Sequence, residues 1–249
     1  MKISLIGSGK LGQQLYNVFS ACPELELVQW MIRSGSVPFS TEGVSIAHTT
    51  DELVSVDCFL LAVTDSSIKS LSTKLPKNSL VVHTSGATDL TTFPEHHRKG
   101  VFYPIQSFSE GRKTNFSALP IGIEASNAND LLLLEKLATA IQANPVRLDS
   151  TQRKVIHLSA VLVNNFTNHL FTAAAQLCKQ HQLPFELLKP LIKETVAKLD
   201  TLHPSEAQTG PALRVDQHTI DAHLSILEHQ ELRELYQHFT NLIINHYKK

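Results

Sequence analysis

Residues 2–12 read KISLIGSGKLG, an apolar run that leads directly into three glycines with G-x-G-x-x-G spacing. Residues 13–19, QQLYNVF, continue with a helical pattern. Between a strand and a helix, this spacing lets the backbone turn tightly at the first glycine, approach a phosphate at the second and pack helix on strand at the third. The helix N-terminus adds free N–H groups for phosphates. We therefore predict a dinucleotide-binding turn with cofactor contacts at Gly7, Ser8, Gly9, Lys10, Leu11 and Gly12.

The end of the second predicted strand selects the dinucleotide. This strand covers residues 26–32, ELVQWMI, and is followed by Arg33 and Ser34. Folds that bind NAD place an Asp or Glu about 20 residues beyond the glycines to hold the ribose 2′-hydroxyl, whereas a guanidinium and a hydroxyl suit a 2′-phosphate. We therefore predict NADP as the cofactor, with Arg33 and Ser34 as contacts. The alternative is that Arg33 is an ordinary surface arginine.

Two continuous apolar runs are typical of buried parallel strands. They cover residues 57–63, DCFLLAV, and residues 79–82, SLVV. In open sheets of this kind, ligands bind beyond the carboxyl ends of the strands. We therefore expect Val63, Thr64 and Ser85 to contact the cofactor.

The polar residues near these strand ends are candidates for a substrate pocket. His83 and Ser85 belong to the segment HTSGA, and Tyr103 and Gln106 belong to the extended segment GVFYPIQSF. A cofactor bound at the sheet edge would bring its substrate to this region. We predict substrate contacts at Ser85, Tyr103 and Gln106. His83 fits a structural role as well as a substrate contact.

The sequence pattern changes at residue 150. Before this point, apolar runs alternate with helical patterns, which predicts an α/β fold with a doubly wound parallel sheet. After it, helical patterns alone continue to the C-terminus. A chain of 249 residues is long enough for two domains. We predict a dinucleotide-binding domain at residues 1–149 and an all-helical domain for substrate binding and dimerisation at residues 150–249.

A long helix predicted at residues 151–181 has two unlike faces. Apolar residues recur at helical spacing on one face. The other face carries Arg153, His157, Asn164 and Asn168, with Asn165 and His169 at its edge. Amide and imidazole groups usually need fixed partners, so we interpret this face as part of an interdomain cleft. Hydrogen bonding at a domain or dimer seam is the alternative.

Arg214 lies in a predicted loop, residues 208–216, with the sequence QTGPALRVD. Its guanidinium could bind a carboxylate or phosphate of the substrate. Pairing with Asp216 or with another chain is the alternative.

Composition argues against several classes of partner. Lys and Arg number 22 against 23 Asp and Glu, without a basic block, so a nucleic-acid or anionic membrane surface is not indicated. The three cysteines lack C-x-x-C spacing, which argues against disulfides and a zinc site. The histidines form no convincing metal-binding pattern, and no apolar run reaches membrane-spanning length. We expect a cytoplasmic protein with a small-molecule substrate and without a metal.

These motifs resemble known families. GSGKLG, AVTDSS and VVHTSGA are similar to NADP-dependent reductases of the 6-phosphogluconate dehydrogenase-like superfamily, near the pyrroline-5-carboxylate reductases and the deazaflavin-dependent NADP reductases. FYPIQSFS, HLSAVLVNNFTNHL and TGPALRVD resemble a family of Rossmann-like oxidoreductases with an all-helical C-terminal domain of unknown function. The resemblance covers the whole chain. It implies a Rossmann domain, a helical domain like the C-terminal domain of 6-phosphogluconate dehydrogenase, and NADP.

The resemblance also bears on the catalytic residues. In hydroxyacid dehydrogenases of that superfamily, the first helix after the Rossmann domain carries a catalytic lysine followed four residues later by an asparagine. Here Lys154 is followed at that spacing by Leu158. His157 with Asn164 or Asn165 is the nearest substitute.

Two functions are consistent with these features. The first is hydride transfer between NADP(H) and a small carbonyl or imine, in which His157 moves a proton and Asn165 orients the substrate. The second is an NADP-binding regulatory or redox-sensing protein without turnover, for which the missing lysine is the main support.

The helical half also predicts assembly. Residues 184–202 and 224–244 carry more apolar surface than one cleft can cover. Twofold pairing is the commonest closed assembly, and the superfamily resemblance implies it too. We predict a homodimer through the C-terminal helices.

Overall fold

A mixed sheet with helices on its faces forms the first part of the chain. The computed structural model describes residues 1–33 and 43–248, so Ser34, a predicted cofactor contact, lies outside the described residues. The described strands are β1 Lys2–Ile6, β2 Glu26–Met31, β3 Ser45–Ala47, β4 Cys58–Leu61, β5 Leu80–His83, β6 Arg98–Pro104, β7 Pro120–Ala125 and β8 Asn144–Arg147. The described α-helices are α1 Lys10–Ser20, α2 Asp65–Ser72, α3 Ala128–Ala140, α4 Ser150–Ala160, α5 Thr167–Gln180, α6 Lys189–Ala197, α7 Pro211–Arg214, α8 Gln217–Ile226 and α9 Gln230–Tyr247.

The described strands lie in the order β3-β2-β1-β4-β5-β6-β7-β8. Neighbours are parallel from β3 to β6, which confirms the prediction of an α/β fold with a mostly parallel sheet followed by helices. At the far edge the direction changes: β7 pairs antiparallel with β6, and β8 is parallel to β7. Residues 105–119 return from β6 without a described helix, whereas a parallel return needs a crossover, usually helical.

The central strands are buried on both faces of the sheet. All four residues of β4, Cys58–Leu61, are buried. Leu60 belongs to the core cluster that includes Leu15 of α1, and Phe59 belongs to the cluster that includes Ile68 of α2. Because helices cover both faces, the carboxyl ends of the strands are the place where a ligand can reach the sheet.

The turn from β1 into α1 leaves no room for a side chain at two of its glycines. Gly7 has φ +113°, and a Cβ there would overlap the carbonyl oxygen of Ala62, which follows β4. A Cβ on Gly12 would overlap the carbonyl oxygen of Gly7. That oxygen also accepts a hydrogen bond from Trp30 Nε1 at 2.9 Å. These contacts fix the turn where β1, β2 and β4 come together.

Contacts divide the chain into two units, Met1–Asn165 and Phe166–Lys249. The change from strands to helices comes where the sequence predicts it, because β8 ends just before Asp149, whose side chain caps α4. Since α4 belongs to the first unit, the two units do not coincide with residues 1–149 and 150–249. The assignment of separate functions to those two parts stays a prediction.

The long helix predicted at residues 151–181 is interrupted by a π-helical segment, Val161–Phe166, between α4 and α5. Asn164 and Asn165 lie in this segment and are exposed. A π turn closes i→i+5 bonds, so the α-helical spacing that grouped His157 with these amides does not hold across it. The polar face is therefore not continuous, although π segments inside helices are frequent at functional sites.

The second unit buries few of its apolar side chains. Within its described part, residues 166–248, the buried hydrophobic residues are Ala212, Ile220 and Leu227. Its exposed large apolar residues include Phe166, Leu183, Leu187, Leu191, Val196, Leu199, Leu202, Ile226, Phe239 and Leu242. An apolar surface of this extent usually marks an interaction site.

Gly12→Ala should destabilise the protein by about 1–3 kcal/mol, because the added methyl overlaps a backbone oxygen that cannot rotate away. Gly9→Ala is the matched control in the same turn. Gly9 has φ −66°, and no described atom lies within 4 Å of the position of its Cβ. Urea unfolding followed by circular dichroism measures both variants, and equal stabilities would contradict the role assigned to Gly12.

Candidate active site

A cavity of about 640 Å³ opens beside the glycine turn, and we call it the glycine-turn cavity. It lies at the carboxyl ends of β1, β2, β4 and β5, where the strand order reverses between β1 and β4. Open α/β sheets bind their ligands at such a reversal. The predicted cofactor contacts among its lining residues are Gly7, Ser8, Gly9, Lys10, Leu11, Arg33, Val63 and Thr64. Gly12 packs behind the turn instead.

One wall of the glycine-turn cavity was not predicted from the sequence. Ser67, Ser70, Leu71 and Lys74, from α2 and the turn after it, line the cavity. Their spacing places them on one face of a helix. That spacing was the available signal, but a short helix with several serines and lysines is also typical of a solvated surface.

The charges of the cavity suit a phosphorylated dinucleotide. Lys10, Arg33 and Lys74 line it, and its described lining residues include no Asp or Glu. The open space around Gly9 lets a phosphate approach the backbone at the N-terminus of α1. The residues present therefore fit NADP, whose 2′-phosphate adds negative charge that an acidic NAD-type site would repel.

The turn after β5 is held by its own side chains. The Ser85 backbone N–H donates to His83 Nδ1 at 3.2 Å. The Ser85 hydroxyl oxygen accepts from the backbone N–H groups of Ala87 and Thr88 at 3.1 and 3.0 Å. Burial, and then the nearby Arg153 charge, lower the pKa of His83 to about 3. His83 is therefore neutral near pH 7, and its Nδ1 accepts a hydrogen bond within this turn.

Arg153 ties α4 to this turn. Its side chain is fully buried and donates from Nη1 to the carbonyl oxygens of Ser85 and Gly86, both at 3.1 Å. Its Nη2 donates to Glu124 Oε2 of β7 at 2.9 Å and to Ser150 Oγ at 3.1 Å. A buried arginine needs such a set of acceptors, because an unpaired charge in the interior is very costly. Arg153 is therefore a structural clamp, although the sequence grouped it with the polar helix face.

The clamp places His157, one helical turn further along α4, against the β5 turn. His157 Nδ1 lies 3.1 Å from the Tyr103 hydroxyl at the end of β6. A Cβ on Gly86 would lie 2.6 Å from His157 Nδ1 and 2.8 Å from Tyr103 Cζ, so both rings pack against this glycine. Burial raises the pKa of Tyr103, which keeps its hydroxyl neutral and able to donate. Two of the predicted site residues thus form a hydrogen-bonded pair.

The other predicted site residues have local contacts in the structure. Gln106 is exposed, and its Oε1 accepts from the Ser107 backbone N–H at 2.8 Å. Asn168 lies in α5, where its carbonyl oxygen accepts from Thr172. The described contacts of His157 include neither Asn164 nor Asn165.

Arg214 ends α7 in the second unit and is exposed. The next residue, Val215, has φ +54°, a conformation that is strained for a β-branched side chain. The pKa of Asp216 lies below its usual value because Thr219 donates to it, with a smaller effect from the Arg214 charge. Within the described residues, the ion pairs do not include one between Arg214 and Asp216. The expected substrate contact at Arg214 stays a prediction.

The described residues form neither a metal-binding cluster nor a helix suited to span a membrane. In residues 1–33 and 43–248, His, Cys, Asp and Glu side chains form no group of three that could coordinate a metal ion. Over the same ranges, each helix is too short or too polar to traverse a lipid bilayer.

Comparisons with known proteins place the chain in a family. Residues 119–243 match the model of the domain of unknown function DUF2520. A candidate NADP oxidoreductase from Bacteroides fragilis is 32% identical, with 98% of each chain covered and a TM-score of 0.85. This chain belongs to the DUF2520 family. A search of the curated proteins found no match.

More distant solved structures share the fold. A 1-pyrroline-5-carboxylate reductase from Streptococcus pyogenes is 15% identical, with 100% of this chain and 98% of that chain covered and a TM-score of 0.62. An imine reductase from Myxococcus stipitatus, solved in complex with NADP⁺, is also 15% identical, with 98% and 92% covered and a TM-score of 0.62. The resemblance to Rossmann-like NADP oxidoreductases near pyrroline-5-carboxylate reductase is therefore confirmed for the fold.

Proposed function

We propose that this DUF2520 protein is an NADP(H)-dependent oxidoreductase that transfers hydride between the nicotinamide and a small carbonyl or imine substrate. The observation that carries the proposal is the glycine-turn cavity, which combines the G-x-G-x-x-G turn with Lys10, Arg33 and Lys74 and has no carboxylate among its described lining residues. The description of the Bacteroides fragilis relative and the NADP⁺ bound to the imine reductase support the same cofactor.

The chemistry divides between cofactor and protein. NADP(H), when bound, supplies or accepts the hydride. The Tyr103 and His157 pair would hold and move the proton, because a neutral phenol that faces an imidazole can donate or accept through the shared hydrogen bond. The remaining proposed substrate contacts are Ser85, Gln106, Asn164, Asn165, Asn168 and Arg214. Among these, Asn165 is proposed to orient the substrate oxygen or nitrogen.

A regulatory or redox-sensing role without turnover is the second candidate. Its specific support is that Leu158 stands four residues after Lys154, while Lys154 itself pairs with Asp89 at 2.7 Å. The two candidates share cofactor binding and differ in whether NADPH is consumed.

Cofactor binding is expected to favour NADPH over NADH, because Arg33 lines the cavity at the end of β2. Arg33→Asp should abolish or reverse the preference by removing a phosphate partner and adding an acceptor for a 2′-hydroxyl. Arg112→Asp, an exposed change outside the cavity lining, is the charge-matched control. Titration calorimetry with both nucleotides measures the affinities. Equal affinities of the unmutated protein for NADPH and NADH would overturn the proposed cofactor choice.

Turnover separates the two candidate functions. A panel of aldehydes, ketones, imines and keto acids should contain a substrate that consumes NADPH, followed by the loss of reduced-nicotinamide absorbance. His157→Ala and Tyr103→Phe should each lower kcat by about 10²–10⁴-fold while NADPH affinity is kept. His96→Ala, an exposed change just before the amino end of β6, is the control. A protein that binds NADPH but consumes none with any compound would favour the regulatory function, and full activity in both variants would exclude the pair from catalysis.

We also propose that two copies of the chain associate through the second unit, in a symmetric homodimer. Three apolar residues in or next to α6 are largely exposed: Leu187 is 65% exposed, Leu191 is 62% exposed and Val196 is 62% exposed. A unit with so few buried apolar residues needs a further apolar surface to cover these side chains, and a second copy supplies a self-complementary one.

The cytoplasm is the proposed compartment, because Cys22, Cys58 and Cys178 are free thiols.

Light scattering after size exclusion is expected to give about twice the chain mass of 27.6 kDa at micromolar concentration. Leu191→Glu should shift the protein toward the monomer, because it places a charge in the proposed interface. Leu132→Glu, which alters a residue of α3 that is 50% exposed, should leave the dimer intact. A monomeric unmutated protein would refute the proposed assembly.

A further inference from the structure

The wall of the glycine-turn cavity formed by α2 and the turn after it carries polar, apolar and cationic groups. Ser67 and Ser70 provide hydroxyls, Leu71 an apolar surface and Lys74 an ammonium group. Lys69, in the last turn of the same helix, is exposed and does not belong to the lining. Lys74, in the turn after α2, therefore lines the cavity, whereas Lys69 does not.

We propose that Lys74 binds the 2′-phosphate of NADP(H) together with Arg33, and that Leu71 packs against the adenine. The Ser70 hydroxyl, which donates to the Ser67 carbonyl oxygen at 3.1 Å, would turn toward the same phosphate. This inference rests on the proposed function and assigns the residues that discriminate NADP from NAD.

The topology supports this arrangement. Arg33 follows β2 and α2 follows β4, and these two strands flank β1 in the sheet. The glycine turn leaves β1 between them, and both Arg33 and Lys74 line the cavity beside this turn. A phosphate monoester carries about 1.5 to 2 negative charges near pH 7, more than one arginine neutralises. A second cation on the other wall would complete the site.

The position of Lys74 is fixed by the fold. Its backbone N–H donates to the Leu71 carbonyl oxygen at 3.0 Å. The following residue, Leu75, is buried in the core cluster on that side of the sheet. These two contacts hold the Lys74 backbone in place at the wall of the cavity.

Lys74 also has a simpler explanation. A cation near the C-terminus of a helix stabilises the helix dipole, and Lys74 lies just after the C-cap residue, Thr73, of α2. Lys69 lies in the last turn and provides the same dipole interaction. Changing each lysine alone therefore separates a ligand contact from a helix effect.

Titration calorimetry on the full chain with NADPH, NADH and 2′,5′-ADP tests the proposal. Lys74→Ala should weaken NADPH and 2′,5′-ADP by about tenfold or more and leave NADH unchanged, because only the phosphate contact is lost. Ser70→Ala should act in the same direction with a smaller effect. Lys69→Ala is the matched control and should leave the affinities for NADPH, NADH and 2′,5′-ADP unchanged.

The outcomes distinguish this inference from the proposed function. If the unmutated protein prefers NADPH and Lys74→Ala keeps that preference, the role of Lys74 is wrong while NADP binding stands. If Lys69→Ala and Lys74→Ala weaken NADPH and NADH alike, the lysines act through the helix, and the inference is also wrong. If the unmutated protein binds none of the three probes, both proposals fail.

Discussion

The close backbone approach at Gly7 is the constraint on which the rest of the structure depends. A Cβ on Gly12 would overlap the Gly7 carbonyl oxygen. A Cβ on Gly7 would in turn overlap the backbone of Ala62. This contact brings the start of α1 and the end of β4 together beside β1. The glycine-turn cavity exists because the strands on either side of β1 end at this junction and lead away to α2 and to Arg33. The glycine turn and the cavity are thus consequences of one packing arrangement.

A second junction connects the sheet to the proposed chemistry. Arg153 binds the carbonyl oxygens of the β5 turn and pairs with Glu124 of β7, so the start of α4 is held across two strands that are not neighbours in sequence. His157 then meets Tyr103 at Gly86, where a larger residue would collide with both rings. The buried ion pair has a positional role here, since it sets which face of α4 lies over the sheet edge. The same charge contributes to the low pKa of His83.

The sequence predicted those features that depend on local patterns. The glycine spacing, the apolar runs of β4 and β5 and the cation after β2 are local signals, and the structure places Gly7, Val63 and Arg33 around one cavity. Features that depend on tertiary placement were missed. The α2 face has an ordinary amphipathic sequence, and the reversed direction of β7 follows from the connection after β6. The prediction grouped His157 with Asn164 and Asn165 because it assumed one uniform α-helical period. The π-helical segment Val161–Phe166 changes that period, so this grouping does not hold.

A crystal structure of the protein grown with NADP⁺ is the most direct measurement of the central claim that the glycine-turn cavity binds this dinucleotide. The prediction is that difference density shows the pyrophosphate over Gly9 and the 2′-phosphate between Arg33 and Lys74. Density for NADP⁺ outside the glycine-turn cavity, or a 2′-phosphate directed away from Arg33, would contradict it.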